Sequence, residues 1–114
     1  MEYTVEQIKD IVAEAKQAAH VAATKYYNEE LGGQDRYSCG FAWVNIYKIK
    51  ASTKQGKVML AAGLEKDSYT KSFQIWNPSG HNAQNIDTKE AGARAAADVF
   101  KKYGFEAYAG SRLD

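Results

Sequence analysis

The chain has 114 residues, 45% hydrophobic and 25% charged, with a formal net charge of +1. This is one domain's length at ordinary globular composition, which excludes wholesale disorder and the strongly basic balance of a general nucleic-acid coat. No apolar run approaches the roughly 18 residues that span a bilayer. The start Met1-Glu2-Tyr3-Thr4 carries no basic leader, and one cysteine (Cys39) with two histidines (His20, His81) makes neither an internal disulfide nor a zinc set. The expectation is a soluble, unexported single domain over 1–114, with residues 1–33 a helix and linker and 34–114 an α+β core. No cofactor, metal or membrane partner is expected.

Thr4 and Gln7 have the spacing of a capping box and open a helix over about 4–30. Val5, Ile8, Val12, Ala15, Ala19, Ala22 and Tyr26 recur at steps of three and four, a narrow apolar stripe that suits either a helix of the same chain or a partner subunit. Leu31-Gly32-Gly33 ends this helix. Residues 41–49 are aromatic and β-branched and read as a strand, its first half covered on both sides because Phe41 and Trp43 oppose Ala42 and Val44. Ser52 with Gln55 opens a short helix over 53–62, stopped by Gly63.

Alternation from Tyr69 to Asn77 gives a strand at 71–77, and Asn77-Pro78-Ser79-Gly80 is a turn leading to a short returning strand at 82–86. Asp87 with Glu90 opens an alanine-rich helix, 88–103; Gly104 stops it, and 105–109 is a last strand before a tail. Three or four strands need cover, so the fold expected is α+β: one small mixed sheet packed against the long N-terminal helix and the alanine-rich helix.

Charge is distributed unevenly. Residues 1–35 hold seven acids against three lysines, residues 36–72 hold Arg36 and six lysines against Glu65 and Asp67, and residues 73–114 balance at five each. The basic third contains Ser52-Thr53-Lys54-Gln55-Gly56-Lys57, but Ala51 and Val58 stand where a Walker loop needs glycine and a hydroxyl. That excludes the nucleotide-hydrolase motif and leaves a looser anion site at a helix N-terminus. Cys39 and His81 flank strands and have the types of a nucleophile and base, with Asn82 or Asn85 as orienting group; a lone cysteine is equally a small apolar residue.

The stretch Trp76–Asn85 concentrates amides, a hydroxyl, an imidazole and an indole about one turn. Amides read base edges and an indole stacks on bases, although Asn and Ser also bond their own backbone in turns. Tyr47, Tyr69, Lys48, Lys50 and Lys71 make a basic, aromatic-studded surface. Arg94 and Arg112 are further anion contacts or structural ion pairs.

The blocks Cys39-Gly-Phe-Ala-Trp-Val44, Phe73-Gln-Ile-Trp-Asn-Pro-Ser-Gly-His81 and Ala107-Tyr-Ala-Gly-Ser-Arg-Leu-Asp114 resemble those of a family of small proteins encoded by tailed bacteriophages. The resemblance runs from Cys39 to Asp114. It implies a phage accessory protein in the cytoplasm of an infected bacterium and assigns no role to any residue.

The leading expectation is a non-enzymatic module binding nucleic acid or a small nucleotide. Trp76 stacks; Asn77, Ser79, His81 and Asn85 hydrogen-bond; Lys50, Lys54 and Arg112 meet phosphate. The alternatives are a protein–protein inhibitor or assembly factor that meets a host protein, or a second copy in a homo-oligomer, through the Val5–Tyr26 stripe, and a small hydrolase using Cys39 and His81.

Overall fold

A computed structural model describes residues 2–114. Its first helix, α1 (Val5–Glu29), opens on the expected capping box: Thr4 Oγ1 accepts from Gln7 N–H and Gln7 Oε1 accepts from Thr4 N–H. Both bonds join residues three apart, so local chemistry alone sets this end. The buried line is Ile8, Ile11, Ala15, Ala19 and Ala23. It replaces the expected Val5–Tyr26 stripe in part, bringing in Ile11 and Ala23 and leaving Val5, Val12, Ala22 and Tyr26 half-buried on its flanks. The expected stripe has a mean period of about 3.5, which drifts around a straight 3.6-residue helix; only a partner that supercoils with it would follow that stripe throughout.

The partner of α1 is α3 (Ile86–Lys102), which buries Gly92, Ala93, Ala96 and Ala97. These small residues let the two backbones approach: a Cβ on Gly92 would stand 3.1 Å from the Ala19 carbonyl oxygen. Lys102 and Tyr103 both donate to the Glu14 carboxylate and tie the C-terminal end of α3 to α1.

Four strands form the sheet: β1 (Gly40–Tyr47), β2 (Glu65–Lys66), β3 (Phe73–Trp76) and β4 (Glu106–Leu113), in the order β2-β3-β1-β4. The α+β class, with helices packed on one small sheet, is as expected. All three pairings are antiparallel. A mixed sheet would need a parallel pair side by side, either β1 and β2 or β3 and β4, but β3 inserts between the first two and β1 between the second. The result is a split β-α-β arrangement.

The crossover helix α2 (Lys54–Ala61) is capped by Thr53, whose Oγ1 accepts from Gly56 N–H, and not by Ser52. Gln55, the other half of the expected box, instead bonds both the N–H and the carbonyl of Tyr3. Gly56 sits inside this helix because a Cβ there would lie 2.0 Å from the Lys50 carbonyl oxygen.

Two further expectations change. Residues 82–86 form no strand; one isolated bridge, Cys39 to Asn85, is all that pairs there. And α3 begins at Ile86 because Asn85, not Asp87, caps it, its Oδ1 accepting from Thr88 N–H at 2.8 Å. The choice is made from a distance. Asp35 accepts from the Asn85 side chain and from the backbone N–H groups of Gln84 and Asn85, fixing Asn85 in the cap position. The tail is strand as well: β4 runs on to Leu113, paired residue for residue with β1.

Alternation divides the sheet into two faces. Ala42, Val44, Ile46, Phe73, Ile75 and Ala107 point to the helices and join Ile8, Ile11, Met59 and Phe100 in the core. Burying each large aliphatic or aromatic side chain contributes about 1.5–3 kcal/mol. Phe41, Trp43, Asn45 and Tyr47 point the other way, together with Gln74 and Trp76 of β3 and Tyr108, Gly110 and Arg112 of β4.

Candidate functional site

The first half of β1 was expected to be covered on both sides; on the second face Trp76 and Tyr108 are exposed and the aromatics shelter one another instead. Trp43 and Trp76 are cross-strand partners and stack with ring centroids 4.5 Å apart. Phe41 meets Trp76 edge-on at 6.4 Å, and the Arg112 guanidinium lies 5.5 Å from the Phe41 ring centre. Trp76 remains 43% exposed. The stack lies flat because β4 has Gly110 opposite Trp43: a Cβ there would stand 2.6 Å from Trp43 Nε1. That indole nitrogen is buried without a hydrogen-bond partner among the described residues.

A polar seam holds the platform still. Trp76 Nε1 donates to Gln74 Oε1 (3.0 Å), Gln74 Nε2 donates to Asn45 Oδ1 (2.9 Å), and Ser72 Oγ donates to the same oxygen (3.0 Å). Asn45, Ser72 and Gln74 are buried, so each bond matters: an unpaired buried polar group costs about 1–3 kcal/mol.

At the far end of β1 the same face runs into a cavity of about 670 Å³ lined by Tyr47, Lys48, Lys50, Lys66, Lys71 and Glu106, among others. Two of these lysines are already engaged. Lys48 pairs with Glu106 at 3.3 Å, and Lys66 Nζ donates to the carbonyls of Ile49 and Lys71. Lys50 and Lys71 are exposed. Lys48 (φ 66°) and Lys71 (φ 61°) hold left-handed backbone conformations at the cavity rim. Such conformations cost non-glycine residues about 1–2 kcal/mol.

The structure thus brings Trp76, Lys50 and Arg112 to one face, and joins Tyr47, Lys48 and Lys71 to them. Lys54 lies apart from the cavity lining, 3.9 Å from Glu2 on α2's outer side, and Arg94 pairs with Glu90 along α3. Asn77, Ser79, His81 and Asn85 bond within the fold, whereas Asn82 and Gln84 are exposed. Asn77 Oδ1 accepts from Ser79 Oγ; Ser79 is buried, its carbonyl bonded to His20; Asn85 is 1% exposed. His81 Nδ1 accepts from Ala83 N–H and its ring packs on Tyr27 at 5.0 Å. Cys39 stands exposed where β1 begins. The Ile8, Ala15 and Ala19 part of the α1 stripe is fully buried against the chain's own core.

Two carboxylates that serve the fold are held in their charged form. The Asn85 side chain and the Gln84 N–H hold Asp35 below the usual carboxylate range, and Lys102 and Tyr103 do the same to Glu14. Among the described residues no group of three His, Cys, Asp or Glu is placed to hold a metal ion, and no helix is long and apolar enough to cross a membrane.

Trp43, Phe41, Asn45 and Gln74 are the site residues that the sequence reading left out. Their signal was the odd-numbered row Phe41, Trp43, Asn45, Tyr47, whose polar third member marks a face not fully inside the core. Comparison with protein-family models, curated protein sequences and solved structures finds no match to this chain.

Proposed function

We propose that the protein binds single-stranded nucleic acid across the open face of its sheet. The observation that carries this reading is the stacked Trp43–Trp76 pair, half-open and rigidly held, on the same face as the lysine-lined cavity. The exposed indole of Trp76 offers a stacking face that every base can use, and lysines meet the phosphates beside it. A strand rise of about 3.3 Å per residue separates Trp43 from Tyr47 by about 13 Å. Two stacking sites that far apart take two bases, which linked nucleotides supply and a single nucleotide does not, and this favours a strand over a free nucleotide. An antiparallel four-stranded sheet with helices behind and stacking aromatics in front is also how one class of RNA-binding module works, an analogy of form only.

In this reading Trp76 stacks on bases with Trp43 backing it, Phe41 extends the platform, and Arg112, Lys50 and Lys71 contact phosphate. Asn77, Ser79, His81 and Asn85 support the loop and α3 and do not touch the ligand. The tailed-phage resemblance adds a setting, the cytoplasm of an infected bacterium.

Tryptophan fluorescence titrated with a short mixed-sequence DNA or RNA oligonucleotide at low salt tests the proposal. Binding with quenching is expected. Trp76→Ala should weaken it by about 1–3 kcal/mol, the usual worth of one stacked base. The absence of binding at low salt, or an affinity unchanged in a folded Trp76→Ala/Lys50→Ala variant, would overturn it.

A further inference from the structure

The two edges of the sheet are built differently. β2 is an edge of two residues, too short to template another strand. β4 is an edge of eight residues, without proline, lysine or bulge, in unbroken register with β1 along its whole length. Proteins ordinarily blunt a long edge with such devices, because its outward N–H and C=O groups recruit another strand. This chain keeps one edge short and leaves the other long, with Lys101 of α3 reaching only the Tyr108 ring, 5.2 Å from its centre. Tyr108 is 50% and Leu113 65% exposed along it.

We infer that β4 pairs antiparallel with β4 of a second copy about a two-fold axis at Ala109, joining two four-stranded sheets into one. The register follows from charge. On the open face β4 carries Glu106, Tyr108, Gly110 and Arg112. Antiparallel pairing centred on Ala109 sets Glu106 opposite Arg112 of the second copy, and the symmetry repeats that pair. Moving the axis to Tyr108 or Gly110 loses both pairs. The same register sets Tyr108 opposite Gly110 of the second copy, where the ring covers the bare backbone beside Trp43. Cross-strand opposite charges and an aromatic over an edge glycine both favour pairing. On the helix face, small Ala109 meets itself at the axis.

Arg112 is shared with the proposed phosphate contacts and Glu106 also pairs with Lys48 of its own chain, so the dimer is measured in the absence of nucleic acid. Sedimentation of the full chain should show a dimer. Arg112→Glu and Glu106→Arg each place like charges opposite one another twice, and each should weaken dimerisation at least about tenfold. The double variant Glu106→Arg/Arg112→Glu restores the pairs in reverse and should recover the dimer, which a folding defect cannot do. Ala109→Cys in a Cys39→Ser background should cross-link the dimer on oxidation. A wild-type chain that stays monomeric at millimolar concentration, a double variant that does not recover, or an Ala109→Cys dimer that does not cross-link would each overturn the inference.

Discussion

Gly110 has no Cβ to offer because Trp43 occupies the space, with Nε1 and Cε2 at 2.6 and 2.7 Å from where it would stand. Gly110→Ala must lift the indole from β4 and disturb its stack on Trp76. We expect a loss of about 1–3 kcal/mol, as for other overpacked sites, and weakening of the exciton couplet of the two indoles in circular dichroism. At Lys71 the backbone is left-handed, so Lys71→Gly should be neutral or stabilising by up to about 1 kcal/mol in thermal melts. In the same variant nucleic-acid affinity should fall, which would mark that lysine as kept for binding at some expense of stability.

Among the elements, α3 is the one whose start depends on the rest of the chain. Asn85→Ala removes its cap and one of the three bonds to Asp35, and should cost about 1–2 kcal/mol in a denaturant titration. Asp35 also gives the fold a pH dependence of definite sign. Its folded pKa is held down, chiefly by the Asn85 side chain, so the unfolded chain takes up the proton more readily. The stabilisation is complete above the ordinary aspartate value of about 4 and is lost as pH falls through the folded value. The melting temperature of wild type should therefore exceed that of Asp35→Asn at neutral pH, with the gap closing as pH drops below about 4.

The same helix shows which parts of the fold were legible in sequence. Thr4–Gln7 could be read because both partners lie within one turn. Asn85–Thr88 and Asp87–Glu90 offer the same spacing, and the winner is chosen by Asp35, fifty residues earlier. The sequence predicts the last strand over 105–109 and a tail after it. The strand continues because β1 supplies a partner as far as Gly40. Of the site, Trp76 and the basic third were visible as composition. The pairing of Trp43 with Trp76 was not, since register and the choice of open face are fixed by packing between distant segments.

For the whole molecule, the open face is sparsely charged, and this makes the salt response of the proposed nucleic-acid binding a sharp measurement. Each phosphate contact on a single strand adds about 0.7 to the slope of log K against log salt. Lys50→Ala and Lys71→Ala should each reduce that slope by about 0.7, while Lys54→Ala, outside the cavity, should leave it unchanged.

The central strand β1 also has a consequence in time. Its longest partner is β4, and the paired residues lie 59 (Tyr47 to Glu106) to 73 (Gly40 to Leu113) positions apart. During synthesis, β1 emerges from the ribosome long before its partner. Until residue 113 is free, one flank of β1 and the aromatic row of Phe41 and Trp43 stand unsheltered beside it. Contacts this distant are slow to form. The nascent chain therefore passes through a stage in which its stickiest segment is complete and its sheet is not.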